Sequence, residues 1–137
     1  MILVDTGPLV ALFDPQYDQH MRCREVLASI KEPLVTTVPV LTEAFHMLSP
    51  GSQGSDRLKD FIMQAGISVW FIDRTGLVRA FELMERYADH PMDLADASLV
   101  VAAETLSTLK VFTIGHRDFS TYRVRRGHRY HSIEVIS

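Results

Sequence analysis

The sequence predicts an α/β fold built on a central, mostly parallel sheet of four to five strands. Three observations point there. Short continuous apolar runs such as Ile2-Leu3-Val4 are what a strand buried on both faces requires. Segments with apolar residues at helical spacing alternate with those runs, and such alternation favours parallel pairing through right-handed crossovers. The chain is also 137 residues long, 47% hydrophobic and 23% charged. That is enough to bury one core, and it is neither a disordered nor a fibrous composition. One domain over residues 1–137 is expected.

In chain order, the first strand ends at Asp5-Thr6-Gly7-Pro8, where a short helix opens with Pro8 in its first turn and stops at Asp14-Pro15. Cys23, Val26, Leu27 and Ile30 form the stripe of an amphipathic helix over 18–30. His20, near its start, is expected to be locally hydrogen-bonded or solvent-facing rather than a ligand. Leu34–Thr37 is a β-branched strand, and Val38–Leu48 a helix with a wide apolar stripe and Glu43 off its centre. Ser49–Ser55 reads as a flexible loop, and a helix over 56–65 follows, ended by Gly66. Residues 68–72 make the third strand, Asp73 caps a helix to about Ala88, and a further helix opens at Asp93 and runs to about Leu106. Residues 110–114 are the fourth strand. Residues 133–136 suit a short fifth strand at an edge.

A single cysteine excludes an internal disulfide and any multi-cysteine metal site, and its apolar neighbours make Cys23 a small buried hydrophobe. The N-terminus lacks the basic and apolar regions of a signal peptide, and no apolar run is long enough to span a membrane. A reducing cytoplasm is the expected setting, with no membrane partner. The net charge of −3 is unevenly spread: residues 1–109 hold eight Lys and Arg against fifteen Asp and Glu, and residues 110–137 hold six against two. A low net charge can thus hide a local anion-binding patch.

The chemistry is carried by acids. Asp93 and Asp96 are three residues apart at a helix start, so their carboxylates share one side of the first turn. Capping accounts for this spacing as well as catalysis does. Asp5 follows the first strand, where open α/β sheets place their ligands, although it too could simply cap a helix. Asp118 follows the fourth strand. Four acids converging on one sheet edge would repel without a counter-charge. Hard oxygen ligands with no cysteine point to Mg²⁺ or Mn²⁺, whose best chemistry is activation of water against a phosphodiester.

Taken together, residues 2–6, 40–43, 92–98 and 112–113, with Asp118-Phe119 and Tyr122-Arg123, resemble the PIN-domain family, and most of all its small VapC-type ribonuclease toxins. The resemblance implies a three-layer α/β/α PIN-like domain. It makes Asp5 and Asp96 the principal metal ligands, Glu43 the helix acid that helps hold the metal and its water, and Asp118 the later acid of the site. Thr113 becomes the polar residue at the end of the fourth strand, with Asp93 and Thr6 auxiliary. It further implies a metal-dependent endoribonuclease acting on structured RNA, tRNA or rRNA loops. A small cognate antitoxin, and a homodimer or toxin–antitoxin hetero-oligomer, come with it. One departure is Gly115, where family members commonly carry an Asp; it favours the alternative of a degenerate PIN domain that binds RNA or protein without cutting.

Arg117, Arg123, Arg125 and Arg126 cluster with several histidines in the basic tail. Because arginine pairs bidentately with phosphate, they are the expected RNA contacts, set beside the acids. A solvated edge, or a surface that docks an acidic partner, is the other reading. A phosphoacceptor receiver domain would want a second acid after Asp5 and a lysine at a later strand's end; Thr6 and the early position of Lys110 argue against it. A haloacid-dehalogenase-type phosphatase is excluded by Gly7, where a second Asp is needed.

Overall fold

The computed structural model describes residues 1–114 and 116–137, and of His116 and Arg117 only their place in a helix. Gly115 therefore lies outside the described residues, as do the side chains of His116 and Arg117.

Five strands form one sheet: β1 (Ile2–Val4), β2 (Leu34–Thr37), β3 (Ser68–Trp70), β4 (Lys110–Phe112) and β7 (Glu134–Ile136), in the order β3-β2-β1-β4-β7. All four strand pairs are parallel, with Leu3 between Val35 and Val111. The chain winds outward from β1 to β3 and then returns to β4 on the other side of β1. With right-handed crossovers, that reversal sends the connecting helices to opposite faces. On one face lie α1 (Thr6–Phe13), α2 (His20–Ser29), α3 (Val38–Leu48) and α4 (Gln53–Met63). The return crossover puts α5 (Arg74–Arg86) and α6 (Leu94–Leu106), which pack on each other, on the other face, with α6 also meeting α3. The point of reversal, between β1 and β4, is where such sheets open a crevice at their carboxyl ends. A short helix α7 (His116–Thr121) and a separate antiparallel hairpin, β5 (Arg123–Arg126) with β6 (Arg129–Ser132), complete the chain.

Burial follows the apolar runs. Every residue of β1 and β2 is buried, as are eight of the thirteen residues of α6. An apolar run of this kind on a helix is possible because α6 is covered by the sheet, α5, α3 and β5. Buried apolar residues from Ile2 to Ile133 form one continuous cluster, Cys23 among them as expected. His20 hydrogen-bonds the Ala11 carbonyl at 2.7 Å, the local role anticipated for it.

Two expectations need correction. The hairpin was not foreseen: it is only four residues per strand, and its arginines carry no apolar alternation. The supposed flexible loop is shorter than the Gly/Ser content implied, because α4 already begins at Gln53. Ser52 is its N-cap and accepts from the Ser55 amide at 3.0 Å. Gly54 serves close approach rather than flexibility, since a Cβ there would lie 2.5 Å from the Phe13 carbonyl oxygen at the end of α1. Gly54→Ala is therefore expected to push α4 off α1 and lower stability by about 1–3 kcal/mol. A urea unfolding midpoint shifted down at unchanged slope is the readout.

Candidate active site

Each acid is placed by backbone geometry. The Asp5 amide donates to the Phe112 carbonyl at 3.0 Å, which locks the end of β1 beside the end of β4. Asp5 is then the N-cap of α1, with Oδ1 accepting from the Thr6 amide at 2.8 Å. Its Oδ2 accepts from the buried Thr113 hydroxyl at 2.8 Å. Asp93 is the N-cap of α6 and accepts from the Asp96 amide at 2.8 Å, so the capping reading of that pair is correct. Capping also fixes Asp96, one turn in, toward the same sheet edge. Tyr122, fully buried, donates its hydroxyl to Asp96 Oδ2 at 3.2 Å. The Thr6 hydroxyl donates to Glu43 at 3.4 Å. Asp118 Oδ1 lies 3.0 Å from His90 Nε2.

The start of α6 is held from below by a directed hydroxyl chain. Ser98 donates to the Ala95 carbonyl at 2.7 Å, so its oxygen must accept from Thr37 at 2.6 Å, both side chains being fully buried. Around Tyr122 stand Tyr87, Phe119 and His90, with ring centroids 5.1, 5.4 and 6.0 Å away in edge-on contact. A hollow of about 390 Å³, lined by Val38, Pro39, Thr42, Leu94 and Ala95, opens beside Glu43 and Asp93.

These acids feel one another. Burial raises the Asp5 carboxyl above its ordinary value, and the charges of Asp93 and Asp118 raise it further against the lowering effect of Thr113. Asp96 is pushed up to about 7, first by burial and then by Asp93, Asp5 and Asp118, with the Tyr122 hydrogen bond opposing. Glu43 is raised by burial and by Asp93 and Asp5. The phenol of Tyr122 is held above its usual range by burial and by Asp96. Asp5 and Asp96 thus lie within reach of the charges of Asp93 and Asp118, and Glu43 of those of Asp93 and Asp5, with Thr6 and Thr113 hydrogen-bonded among them.

A family model described as the PIN domain matches residues 2–124. The chain belongs to the PIN-domain family. Its PIN fold spans the whole of the acid cluster, since Asp5 to Asp118 fall inside the match. A similar curated protein is Ribonuclease VapC26 of Mycobacterium tuberculosis, 26% identical over 132 residues, covering 94% of this chain and 97% of that relative. Among solved structures, the PIN fold is shared with Mycobacterium tuberculosis VapC20, described as a sarcin–ricin loop cleaving toxin, at a TM-score of 0.75 and 18% identity, over 81% of this chain and 87% of that one. FitAB bound to a DNA fragment matches with a TM-score of 0.66 and 19% identity, over 87% and 88% of the two chains. VapBC2 from Rickettsia felis, bound to promoter DNA, gives 0.61 and 15% over 85% and 90%.

Not every predicted residue joins the site. The Arg123 guanidinium is spent on the carbonyls of Ser120, Thr121 and Tyr122 at 2.8–3.1 Å, closing the end of α7. Arg126 likewise bonds the Ser107 carbonyl past the end of α6 at 3.0 Å. The Arg125 amide is held by Glu104 at 2.7 Å, eight residues beyond Asp96 and so about 12 Å away along the helix. Arg125 and Arg126 thus stand at the opposite end of α6 from the acids, because β5 runs along that helix. Arg117 lies outside the described side chains. Conversely, the sequence reading gave no role to Tyr122 or His90. A tyrosine in a buried aromatic cluster needs a hydrogen-bond partner, and that was the available signal for Tyr122.

Stability should report the strain at Asp96. Its carboxyl is raised in the folded state, so the protein free of divalent ions is most favoured below about pH 4 with respect to this group and loses that contribution as pH rises through about 7. Between pH 5 and 8, the melting temperature of the unsubstituted protein is expected to fall, and Asp96→Asn to flatten that fall. Tyr122→Phe, which removes the one hydrogen bond opposing the shift, is expected to steepen it.

Proposed function

We propose that this PIN chain is a single-domain, Mg²⁺- or Mn²⁺-dependent endoribonuclease, the toxin of a toxin–antitoxin pair, that cuts structured RNA in tRNA or rRNA loops. The observation that carries the reading is the cluster of carboxylates at the switch point of the sheet, in which Asp5, Glu43 and Asp96 are raised by burial and by the charges of their acidic neighbours. Their oxygens are all hard donors, and their mutual repulsion is what a divalent cation relieves. The set fits the ion in charge and ligand type. Among the described residues no three His, Cys, Asp or Glu side chains form a ready-made cage. When bound, the ion supplies a Lewis acid that lowers the pKa of its water and neutralises charge on the phosphodiester.

The residues divide the work. Asp5, Asp96 and Asp118 would hold the ion, with Asp93 as auxiliary charge and cap. Thr113 and the Thr6 amide orient the two oxygens of Asp5, and Tyr122 orients one oxygen of Asp96; each carboxylate oxygen keeps a further lone pair for the ion. Glu43, positioned by Thr6, is the acid placed to orient the attacking water and take its proton. The names of VapC26 and VapC20 support a ribonuclease toxin. FitAB and VapBC2 support an antitoxin partner and assembly as a homodimer or hetero-oligomer. No described helix is long and apolar enough to cross a membrane, in keeping with a cytoplasmic toxin. The absence of a preformed cage favours a second reading, a PIN domain that binds RNA or protein without cutting.

Asp5→Asn and Asp96→Asn are each expected to lower Mg²⁺-dependent cleavage of a labelled total-tRNA pool by at least about a hundredfold, with melting temperature at neutral pH unchanged or raised. Discrete fragments that persist in either variant would remove these residues from the site. Metal-dependent stabilisation without fragments would support the non-cutting reading.

A further inference from the structure

The β5–β6 hairpin carries groups that neither the core nor the acid cluster uses. Val124 is fully buried and anchors the hairpin on α6, while its neighbours Arg125 and Arg126 and, across the turn, Arg129 and Tyr130 are exposed. Arg86, at the end of α5, sets its guanidinium 4.7 Å from the centre of the Tyr130 ring and donates to the hydroxyl at 3.2 Å. Arg125 stands directly across the hairpin from Tyr130. It also lines a hollow of about 490 Å³ with Trp70, Phe71, Arg79 and Glu104.

The hollow itself is balanced, two acids against two bases, and the positive excess lies on the hairpin beside it, where Arg126 and Arg129 are exposed. Arg79 is paired bidentately with Glu104, at 2.8 and 3.0 Å, so the two cancel. The carboxylate of Asp73, also in the wall, is engaged by the Gly76 amide it caps. Among the described residues no ion pair is formed by Arg86, Arg125 or Arg129. Phe71 is 73% exposed, a large apolar ring in water for no packing reason. Arginines alternating with exposed aromatic rings are the composition of a surface for unpaired nucleic acid: the rings stack bases and the guanidinium groups take phosphates.

We infer that the face shared by α5 and the β5–β6 hairpin is a second RNA-contact surface, which grips an unpaired strand with Phe71, Tyr130, Arg86 and Arg125 at a distance from the acid cluster. The inference rests on the ribonuclease reading for its ligand class. It differs from an extension of the cleavage site, because Glu104 marks this face about 12 Å along α6 from Asp96. Its contribution therefore depends on substrate size: a folded RNA reaches both places and a short oligonucleotide reaches only the acids.

The test compares the protein with a Phe71→Ser/Arg125→Gln double variant, both side chains lying outside the acid cluster. Two substrates are cut in Mg²⁺, a labelled total-tRNA pool and a randomised dinucleotide, whose single step is too short to span about 12 Å. Binding of the tRNA pool is followed on an Asp5→Asn background by fluorescence anisotropy as salt is varied. The double variant is expected to raise KM for tRNA about tenfold with kcat unchanged, to leave dinucleotide cleavage unaltered, and to reduce the slope of log affinity against log salt by about 0.7. Equal loss on both substrates, or no loss on either, overturns the inference. If the unsubstituted protein binds RNA without cutting it, the nuclease reading falls and the anisotropy alone decides this one. RNA binding unaltered by the double variant, together with loss of self-association on a sizing column, gives the face to a second copy of the chain and overturns the inference too.

Discussion

Repulsion among clustered carboxylates governs the carboxyl edge of this sheet. Asp5, Glu43, Asp93 and Asp96 occupy one crevice, and burial together with mutual charge drives the carboxyls of Asp5, Glu43 and Asp96 toward their neutral forms. A fold tolerates such a cluster only if the surrounding structure fixes it. Here the backbone amides of Thr6 and Asp96, the hydroxyls of Thr113 and Tyr122, and the Thr37–Ser98–Ala95 chain under α6 supply that restraint. The restraint is local and uncharged. It orients the acids without cancelling their charge, and so leaves the site short of positive charge rather than satisfied. That distinguishes it from Arg79–Glu104, where acid and base neutralise each other and the result ties α5 to α6.

The topology explains why the acids meet. Winding outward from β1 and then returning to β4 puts the ends of two adjacent strands at the reversal point, and the two acidic helix starts, α1 and α6, face it from opposite layers. Asp5 and Asp93 act first as N-caps. The same side chains that start the helices thus become functional groups by position. For that reason the local pattern could not separate capping from chemistry: both are true of the same residues.

Much of this was legible in the sequence, and what was missed has physical causes. The apolar runs of β1, β2 and β4 and the stripes of α2, α3 and α5 mark elements whose burial is decided by their own residues. The edge strand β7 was legible for the same reason, though shorter. The start of α4 was hidden because Gly54 and Ser52 look like loop residues; their roles as a close-contact glycine and an N-cap exist only against α1. The arginines misled in a related way. Their clustering in sequence suggested one patch beside the acids, yet β5 runs along α6, so Arg125 and Arg126 lie toward its far end while Arg123 closes α7. The partnership of Tyr122 with Asp96 joins residues twenty-six apart across a crossover, and no spacing rule reports such a contact.

The claim that the acid cluster is built for a divalent cation is tested most directly by following the carboxyl carbons of Asp5 and Asp96 by NMR across pH, with and without Mg²⁺. Without the ion, Asp96 should titrate near pH 7 and Asp5 above the ordinary range of aspartate. With saturating Mg²⁺ both midpoints should fall by about one to three units as the cation takes up the repulsion. Midpoints near 4 under both conditions, or raised midpoints that Mg²⁺ leaves in place, would contradict it.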